Sequence, residues 1–478
     1  MELTRNVHQP TSAWRWAAPV YFYLCSFFAA MCAALLLHRH PPETMAAVSN
    51  FMGSLVENLT HGGAYVVCSN GMTAPGDVIC FHANRMPLPP LLLTGLVRIF
   101  GDHYRSVELA KIALVLLPVA AAFGLAWNRL GAAAHRRIRI LVPLLLIAGL
   151  LLPTQLVDVI NMQVEEGYSF CLLVYALAIL LFSAPRDAEK KSVPWRTTLF
   201  FAFTVLALYL TKSSMVAACL FLLLAFCWKV RSPAKRIAVV LIFLCGPLTW
   251  GLYTIHTGHF SVGTSVDGID LHKGNYAEFL DRYPPPAGIS LDPYDAALNG
   301  GNDFKSEWVF NEYHLHVAED YMRAHPSRTV EAALWKAEVF FLSLRKIGSE
   351  RYSGWLGIVT GISMVLFRLL LWTACAVAIW LLVRGPATIR WVPAIYLGLT
   401  ISIAAPYLAG FALTRHASVL ILPSALFLCW WILEQPRGPI RDPASTVRGK
   451  MPDSRSFVSG HGRRGDSRAA STRKLGGL

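Results

Sequence analysis

The sequence predicts an all-α polytopic membrane protein, and three observations support this prediction: the composition, the long apolar runs and the distribution of charge. Of the 478 residues, 55% are hydrophobic and only 15% are charged, whereas a soluble domain usually has about 25% charged residues. The mean hydropathy of +0.46 is correspondingly high. This composition excludes an ordinary soluble domain, a collagen and a chain that is disordered throughout.

About ten apolar runs reach or approach the roughly 20 residues that a helix needs to cross the core of a bilayer. They lie at about 18–37, 108–128, 139–154, 167–184, 197–211, 213–229, 237–255, 356–383, 391–410 and 416–433. The first run is longer than the apolar region of a typical signal peptide, so we interpret it as an uncleaved anchor. The stretch 87–100 is too short and too rich in proline to span, which favours a re-entrant or interfacial segment.

The formal net charge of +14 separates by side when the N-terminus is assigned to the cytoplasm. The stretches then assigned to the inside sum to +19 and those outside to −6, while Arg368, within a span, adds +1. This division follows the positive-inside rule. It predicts an integral, multi-pass protein of the plasma (inner) membrane with both termini in the cytoplasm, and it gives no case for a nucleic-acid partner.

This topology divides the chain into four regions. They are an N-terminal transmembrane module at 1–255 that includes a first extracytoplasmic loop at 38–107, a large extracytoplasmic domain at 256–355, C-terminal transmembrane helices at 356–434, and a basic cytoplasmic tail at 435–478. The large domain mixes turn clusters with one helical run, at about 311–341. The tail has little to bury, and we expect it to be disordered.

Eight of the ten cysteines fall within predicted spans, where they behave as small apolar residues. Cys68 and Cys80 are the exceptions, and both lie in the first extracytoplasmic loop. An oxidising compartment would permit a disulfide between them, and two free thiols are the alternative. No spacing of cysteine and histidine indicates zinc, so we assign no metal ligands. A divalent cofactor metal stays open but has no support in the sequence.

Carboxylates near the outer membrane surface are the candidates for acid–base chemistry, because the chain has none of the phosphate-binding or nucleophile motifs of soluble enzymes. Glu43 follows the first span, and Asp158 lies in a short loop with Glu165 and Glu166. A carboxylate here could take the proton of a hydroxyl group. The alternative is that these are ordinary solvated loop residues.

Basic residues on the same side are the candidates for binding a phosphate. Arg85 could contact phosphate oxygens with its forked guanidinium, and His82 precedes it closely. Lys212 is the single break between two apolar helices. The alternative is that Arg85 and Lys212 anchor the chain at lipid headgroups. For Arg368, within a span, pairing inside the helix bundle and contact with a lipid phosphate both remain open.

Several short stretches, in order and spacing, resemble the polytopic GT-C glycosyltransferases, in particular the branch of protein O-mannosyltransferases and the lipid A aminoarabinose transferase. They are 58–65 (NLTHGGAY), 85–90 (RMPLPP), 100–102 (FGD), 164–170 (VEEGYSF), 210–212 (LTK), 258–260 (GHF) and 264–275 (TSVDGIDLHKGN). The resemblance covers roughly 18–345. It implies a GT-C-like fold with a mixed extracytoplasmic loop domain.

The resemblance further implies transfer of a sugar from a polyprenyl-phosphate donor to a lipid, polysaccharide or protein acceptor on the outer face. Arg85 and Lys212, with His82, would bind the donor phosphate, and a carboxylate would activate the acceptor hydroxyl. One departure matters: the family's acidic residue has no counterpart in 46–51. Either Glu43 or Asp158 supplies the base, or activity has been lost.

Two other classes of protein compete with a transferase. A non-catalytic membrane protein on the same scaffold, which binds a lipid carrier or serves as an assembly subunit, would explain the missing acidic residue. A transporter is disfavoured by the long extracytoplasmic domain and by the lack of paired broken helices.

Overall fold

The computed structural model describes residues 12–48, 51–70, 78–130, 145–146, 153–162, 165–183, 193–277, 302, 304–343 and 354–434. These residues are mostly helical, with one two-stranded sheet. The helices are α1 (Ser12–Leu37), α2 (Met52–Thr60), α3 (Leu88–Phe100), α4 (Tyr104–Val115), α5 (Leu117–Leu130), α6 (Pro153–Ile160), α7 (Glu166–Phe182), α8 (Trp195–Thr211), α9 (Val216–Lys229), α10 (Pro233–Ile255), α11 (Asp267–Lys273), α12 (Glu307–Ala324), α13 (Pro326–Ala337), α14 (Gly354–Arg384), α15 (Trp391–Ala409) and α16 (Ile421–Glu434). The predicted tail at 435–478 and most of the predicted span at 139–154 lie outside the described residues.

Among the residues that the structure describes, six helical stretches are long and apolar enough to cross a membrane. They are Ala17–Leu37, Tyr104–Asn128, Pro233–Ile255, Gly357–Arg384, Trp391–Ala409 and Arg415–Glu434. Four further apolar helical stretches among the described residues are shorter, with at most 17 residues: Leu88–Phe100, Glu166–Phe182, Trp195–Thr211 and Ser213–Lys229. The described part of the chain is therefore a helical, multi-pass membrane protein.

Polar contacts at the helix ends show which ends lie together. Lys212, between α8 and α9, contacts Glu166 at the beginning of α7, with Nζ 2.8 Å from Oε1. At the other end of the same helices, Lys229 in the last turn of α9 donates to the carbonyl oxygen of Leu180 in the last turn of α7. Consecutive helices here run in alternating directions, as they must in a chain that crosses a bilayer with each helix.

The predicted loop at 38–107 is largely structured. Its apolar stretch forms α3, which begins after Pro87 and ends at Phe100, and the following Gly101 has a φ of 80°. At 13 residues, α3 is about 20 Å long and too short to span the bilayer. This length agrees with the expectation of a re-entrant or interfacial segment.

A small hairpin in this loop carries the two cysteines outside the predicted spans. Strands β1 (Val67–Asn70) and β2 (Val78–Phe81) pair in antiparallel register, which brings Cys68 opposite Cys80, and a disulfide joins them. Two strands are marginally stable alone. The Phe81 ring packs edge-on against Phe310 of α12, with ring centroids 5.7 Å apart.

Glu307, buried at the beginning of α12, connects the two long loops. Its carboxylate accepts hydrogen bonds from the backbone N–H of His82 at 2.9 Å and of Ala83 at 3.0 Å. The Ala83 carbonyl in turn accepts from the N–H of Ser265 at 2.8 Å. A carboxylate in the first turn of a helix also interacts favourably with the helix dipole. The loops therefore pack as one body.

The helical run predicted at 311–341 is divided in the structure. Helix α12 ends at Ala324 and α13 begins at Pro326, because proline cannot donate a backbone hydrogen bond and restricts the preceding residue. After α13 the chain makes a π-helical turn, Glu338–Leu342.

Two buried cations connect the second long loop to membrane-spanning helices by hydrogen bonds. Arg368 of α14 donates to the carbonyl oxygens of Val339 and Ser343, at 3.1 and 3.0 Å, and to that of Phe340. These contacts lie inside the bundle. Lys336 of α13 reaches the end of α15, where its Nζ donates to the carbonyl oxygen of Ala409 at 3.1 Å.

Candidate functional site

Two consecutive carboxylates, Glu165 and Glu166, each hold one of the cations that the sequence assigns to phosphate binding. Arg85 NH1 lies 2.8 Å from Glu165 Oε1, and Lys212 Nζ lies 2.8 Å from Glu166 Oε1. Both carboxylates are buried. Buried charges are tolerated only when they are paired, so these contacts explain why the acids can occupy this depth. We call the residues around Glu166 the ionic cluster, defined as Asp158, Glu165, Glu166, Arg85, Lys212, Arg415 and His416.

Local geometry directs these side chains to one place. Lys212 is extended (φ −160°, ψ 129°) between α8 and a 3₁₀ turn, so the chain reverses direction at this residue. Gly167 follows the two acids, and a Cβ there would meet the Asp158 carbonyl oxygen at 2.3 Å. Glycine is therefore required where α6 and α7 approach each other.

Arg415 and His416, at the beginning of the last membrane-spanning stretch, complete the surroundings of Glu166. Arg415 Nε is 3.8 Å and His416 Nε2 is 3.9 Å from Glu166 Oε1. The N–H of Leu413 donates to His416 Nδ1 at 3.1 Å. Because Nδ1 accepts a hydrogen bond, the neutral imidazole carries its proton on Nε2, toward Glu166.

Tyr407, near the end of α15, packs beside Lys212. Its ring stacks on His416 with centroids 4.1 Å apart, and Lys212 Nζ lies 5.7 Å from the ring centroid. Its hydroxyl is 3.0 Å from Ser214 Oγ. The ammonium group of Lys212 is thus fixed by both a carboxylate and an aromatic face.

Arg415, His416 and Tyr407 are not among the residues that the sequence assigns to the site. A signal existed for Arg415, which lies, like Lys212, in a short connection between two apolar runs on the same predicted side.

Asp158, near the end of α6, joins the ionic cluster through Ser418. Its Oδ2 lies 2.6 Å from Ser418 Oγ, which is 2.5 Å from the carbonyl oxygen of Arg415. A serine hydroxyl has one proton, and the carbonyl can only accept it. The hydroxyl donates to the ionised Asp158 carboxylate, and it can donate to the carbonyl oxygen only when Asp158 is protonated and donates to Ser418 in turn. Burial, together with repulsion from Glu166, raises the pKa of Asp158 to about 7.

Glu43 and His82 lie apart from the ionic cluster. Glu43 is exposed, and its carboxylate forms no hydrogen bond or ion pair with any described residue, although its carbonyl oxygen accepts from the N–H of Tyr104 at 3.2 Å. His82 is 40% exposed, and its Nδ1 lies 3.3 Å from Glu307 Oε1. Among the described residues, the structure thus brings together Arg85, Lys212 and Asp158.

The raised pKa of Asp158 has a consequence for stability. The native state binds more protons than the unfolded state between about pH 4 and pH 7, so the free energy of unfolding should fall across that window as the pH rises. Each pH unit contributes about 1.4 kcal/mol at most. We expect Asp158→Asn to remove this part of the pH dependence, measured by thermal unfolding in detergent at pH 5 and pH 8.

The matched control for this measurement is Glu57→Gln, because Glu57 is an exposed carboxylate. This variant should keep the wild-type difference between the two pH values. Parallel pH dependence in the wild type and the Asp158→Asn variant would contradict the raised pKa of Asp158.

Within the described ranges, no group of three or more His, Cys, Asp or Glu side chains is arranged to hold a metal ion. Comparison of the chain with protein-family models, with curated proteins and with solved structures finds no match. Fold and site together define a class: a multi-pass helical membrane protein with a buried ionic cluster where several helix ends meet.

Proposed function

We propose that this protein is a membrane glycosyltransferase of the GT-C type, which transfers a sugar from a polyprenyl-phosphate donor to a lipid, polysaccharide or protein acceptor. One observation carries the proposal. The two residues assigned to the donor phosphate form ion pairs with two consecutive carboxylates, Arg85 with Glu165 and Lys212 with Glu166. An interfacial anchor would extend toward the headgroups, whereas Arg85 and Lys212 are both mostly buried.

The chemistry requires a base and a site for the leaving group. The acceptor oxygen attacks the anomeric carbon, the bond from that carbon to the phosphate oxygen breaks, and polyprenyl phosphate leaves with the electron pair. Fixed cations stabilise the charge that develops on the phosphate. The acceptor proton passes to a carboxylate, and a pKa near the working pH suits this role.

Asp158 is the carboxylate that best fits the base. It belongs to the ionic cluster, and its pKa of about 7 leaves a substantial ionised fraction at neutral pH. Glu43 is the alternative, because it is exposed and follows the first span. The choice between them decides whether the reaction occurs beside α6 or at the surface of the first loop.

The proposed topology has ten spans, with both termini in the cytoplasm of a bacterial-type inner membrane. The alternating directions of α7, α8 and α9 support it, as does the excess of positive charge in the stretches assigned to the inside. In this topology the ionic cluster faces the extracytoplasmic side, where a donor flipped across the bilayer would be used.

The test is a transfer assay with the full chain in liposomes, a labelled decaprenyl-phosphate sugar and a membrane extract as the source of acceptors. We expect transfer by the wild type and a loss of about 100-fold or more in Asp158→Asn, the usual range for removal of a general base. Glu57→Gln, an exposed carboxylate, is the control. If Glu43→Gln is inactive and Asp158→Asn is active, Glu43 is the base; full activity in both variants refutes the site.

A second candidate is a non-catalytic protein that binds a lipid carrier. The burial of Asp158, which is only 7% exposed, favours it, because an acceptor hydroxyl must reach the base. This candidate predicts that the donor lipid binds without turnover. Binding of decaprenyl phosphate together with no transfer to any acceptor fraction would select it over the transferase.

A further inference from the structure

Arg415 is the least closely paired cation of the ionic cluster. Lys212 is paired with Glu166 and Arg85 with Glu165, each at 2.8 Å. His416 is held in its neutral form by the N–H of Leu413. In the described part of the chain, Asp158 has Ser418 as its close partner and no cation within ion-pair distance. Arg415 approaches Glu166 only at 3.8 Å, so its guanidinium is the most weakly paired of the three cations.

Arg415 is also the cation that a ligand can reach. Its side chain is 49% exposed, whereas those of Arg85 and Lys212 are each 19% exposed. Only its Nε lies near Glu166, at 3.8 Å, which is beyond hydrogen-bond distance. NH1 and NH2 form no hydrogen bond with any residue that the structure describes. These two nitrogens can donate a pair of parallel hydrogen bonds to two oxygens of a phosphate.

The backbone of Arg415 is fixed although its guanidinium is exposed. Its carbonyl oxygen lies 2.5 Å from Ser418 Oγ, and Ser418 is in contact with Asp158. The neighbouring His416 stacks on Tyr407. A cation on a fixed backbone loses less conformational entropy on binding a ligand than one on a mobile loop.

We propose that Arg415 is a further direct contact for the phosphate group of the polyprenyl-phosphate ligand, beside Lys212 and Arg85, whose charges are shared with Glu166 and Glu165. The inference rests on the proposed function for the identity of the ligand. Its basis in this chain is the exposure of Arg415 and its two terminal guanidinium nitrogens, which form no hydrogen bond with a described residue.

The test measures binding rather than turnover, with the purified full chain in detergent and decaprenyl phosphate as the probe. Decaprenol, which lacks the phosphate, and phosphatidylglycerol, which carries the phosphate of a bulk lipid, are the comparison ligands. We expect Arg415→Gln to weaken the binding of decaprenyl phosphate by about 10- to 100-fold, the effect of removing a charge-assisted hydrogen bond. Binding of decaprenol should not change, and Arg415→Lys should retain part of the affinity.

Arg323→Gln is the control, because Arg323 is 70% exposed and lies on the surface of α12. Unchanged affinity of Arg415→Gln for decaprenyl phosphate, in a wild type that prefers it to decaprenol, overturns the role of Arg415 and leaves the proposed function intact. Equal binding of decaprenyl phosphate and decaprenol by the wild type overturns both. Displacement of decaprenyl phosphate by equimolar phosphatidylglycerol would assign the site to bulk lipid and also overturn the inference.

Discussion

Lys212→Met should lower the free energy of unfolding by about 3–5 kcal/mol, the usual result of removing one partner of a buried ion pair. The variant leaves the carboxylate of Glu166 buried without the ammonium group that lies 2.8 Å from it in the wild type. Arg415 lies 3.8 Å from the same oxygen and would offset part of the charge, so we expect the lower end of the range. The measurement is chemical unfolding of the purified protein in mixed micelles.

The double variant Lys212→Met with Glu166→Gln separates the effect of pairing from the effect of packing. It removes both charges, so it should recover a large part of the stability that the single variant loses. The matched surface pair is Arg323 with Glu319, which are 2.7 Å apart and exposed. Arg323→Met should cost less than about 1 kcal/mol. A double variant as unstable as Lys212→Met would contradict the pairing.

Lys336→Met should have an effect of similar size, for a different reason. Lys336 is buried, and its Nζ donates to the carbonyl oxygens of Gly274, Ala409 and Gly410, at 3.0–3.1 Å. It also lies 3.4 Å from Asn275 Oδ1. Methionine fills a similar volume but donates nothing. Asn275 Nδ2 still donates to the Ala409 carbonyl oxygen at 2.7 Å, so the carbonyl oxygens of Gly274 and Gly410 are the two that lose their donor. At about 1–3 kcal/mol for each of these two groups, we expect a loss of roughly 2–6 kcal/mol.

The location of this loss can also be measured. Hydrogen exchange should quicken at 270–276 and at 408–412, the two segments that Lys336 joins, before it quickens elsewhere. Lys305→Met is the control, because Lys305 is exposed, and its effect should stay within about 0.5 kcal/mol. Unchanged exchange at both segments in Lys336→Met would show that other contacts hold them together.

The multi-pass helical architecture is predictable because a bilayer imposes it. A chain that crosses hydrocarbon must satisfy its backbone hydrogen bonds within each segment, so helices of a given length and hydropathy follow from composition. The break at Lys212 is predictable for the same reason, since a lysine between two apolar runs marks the point where the chain leaves the hydrocarbon.

The long-range pairings, both in the ionic cluster and between the two long loops, are not predictable in this way. Arg85 and Glu165 are 80 positions apart, and His82 and Glu307 are 225 positions apart. Nothing local distinguishes Glu165 from Glu166, although one holds Arg85 and the other Lys212. Such partners are set by the packing of helices, which depends on all the side chains between them. The break at Pro326 is a local feature, and backbone chemistry explains it.

The contact of Glu307 with the first loop also constrains the order of events during synthesis. The N–H groups of His82 and Ala83 have no carboxylate to receive them until 225 further residues have been made. At about 5–20 residues per second, that interval lasts roughly 10–45 seconds. Throughout it the two N–H groups are without their final acceptor. Any chain released before residue 307 would therefore lack the carboxylate that accepts from both of them.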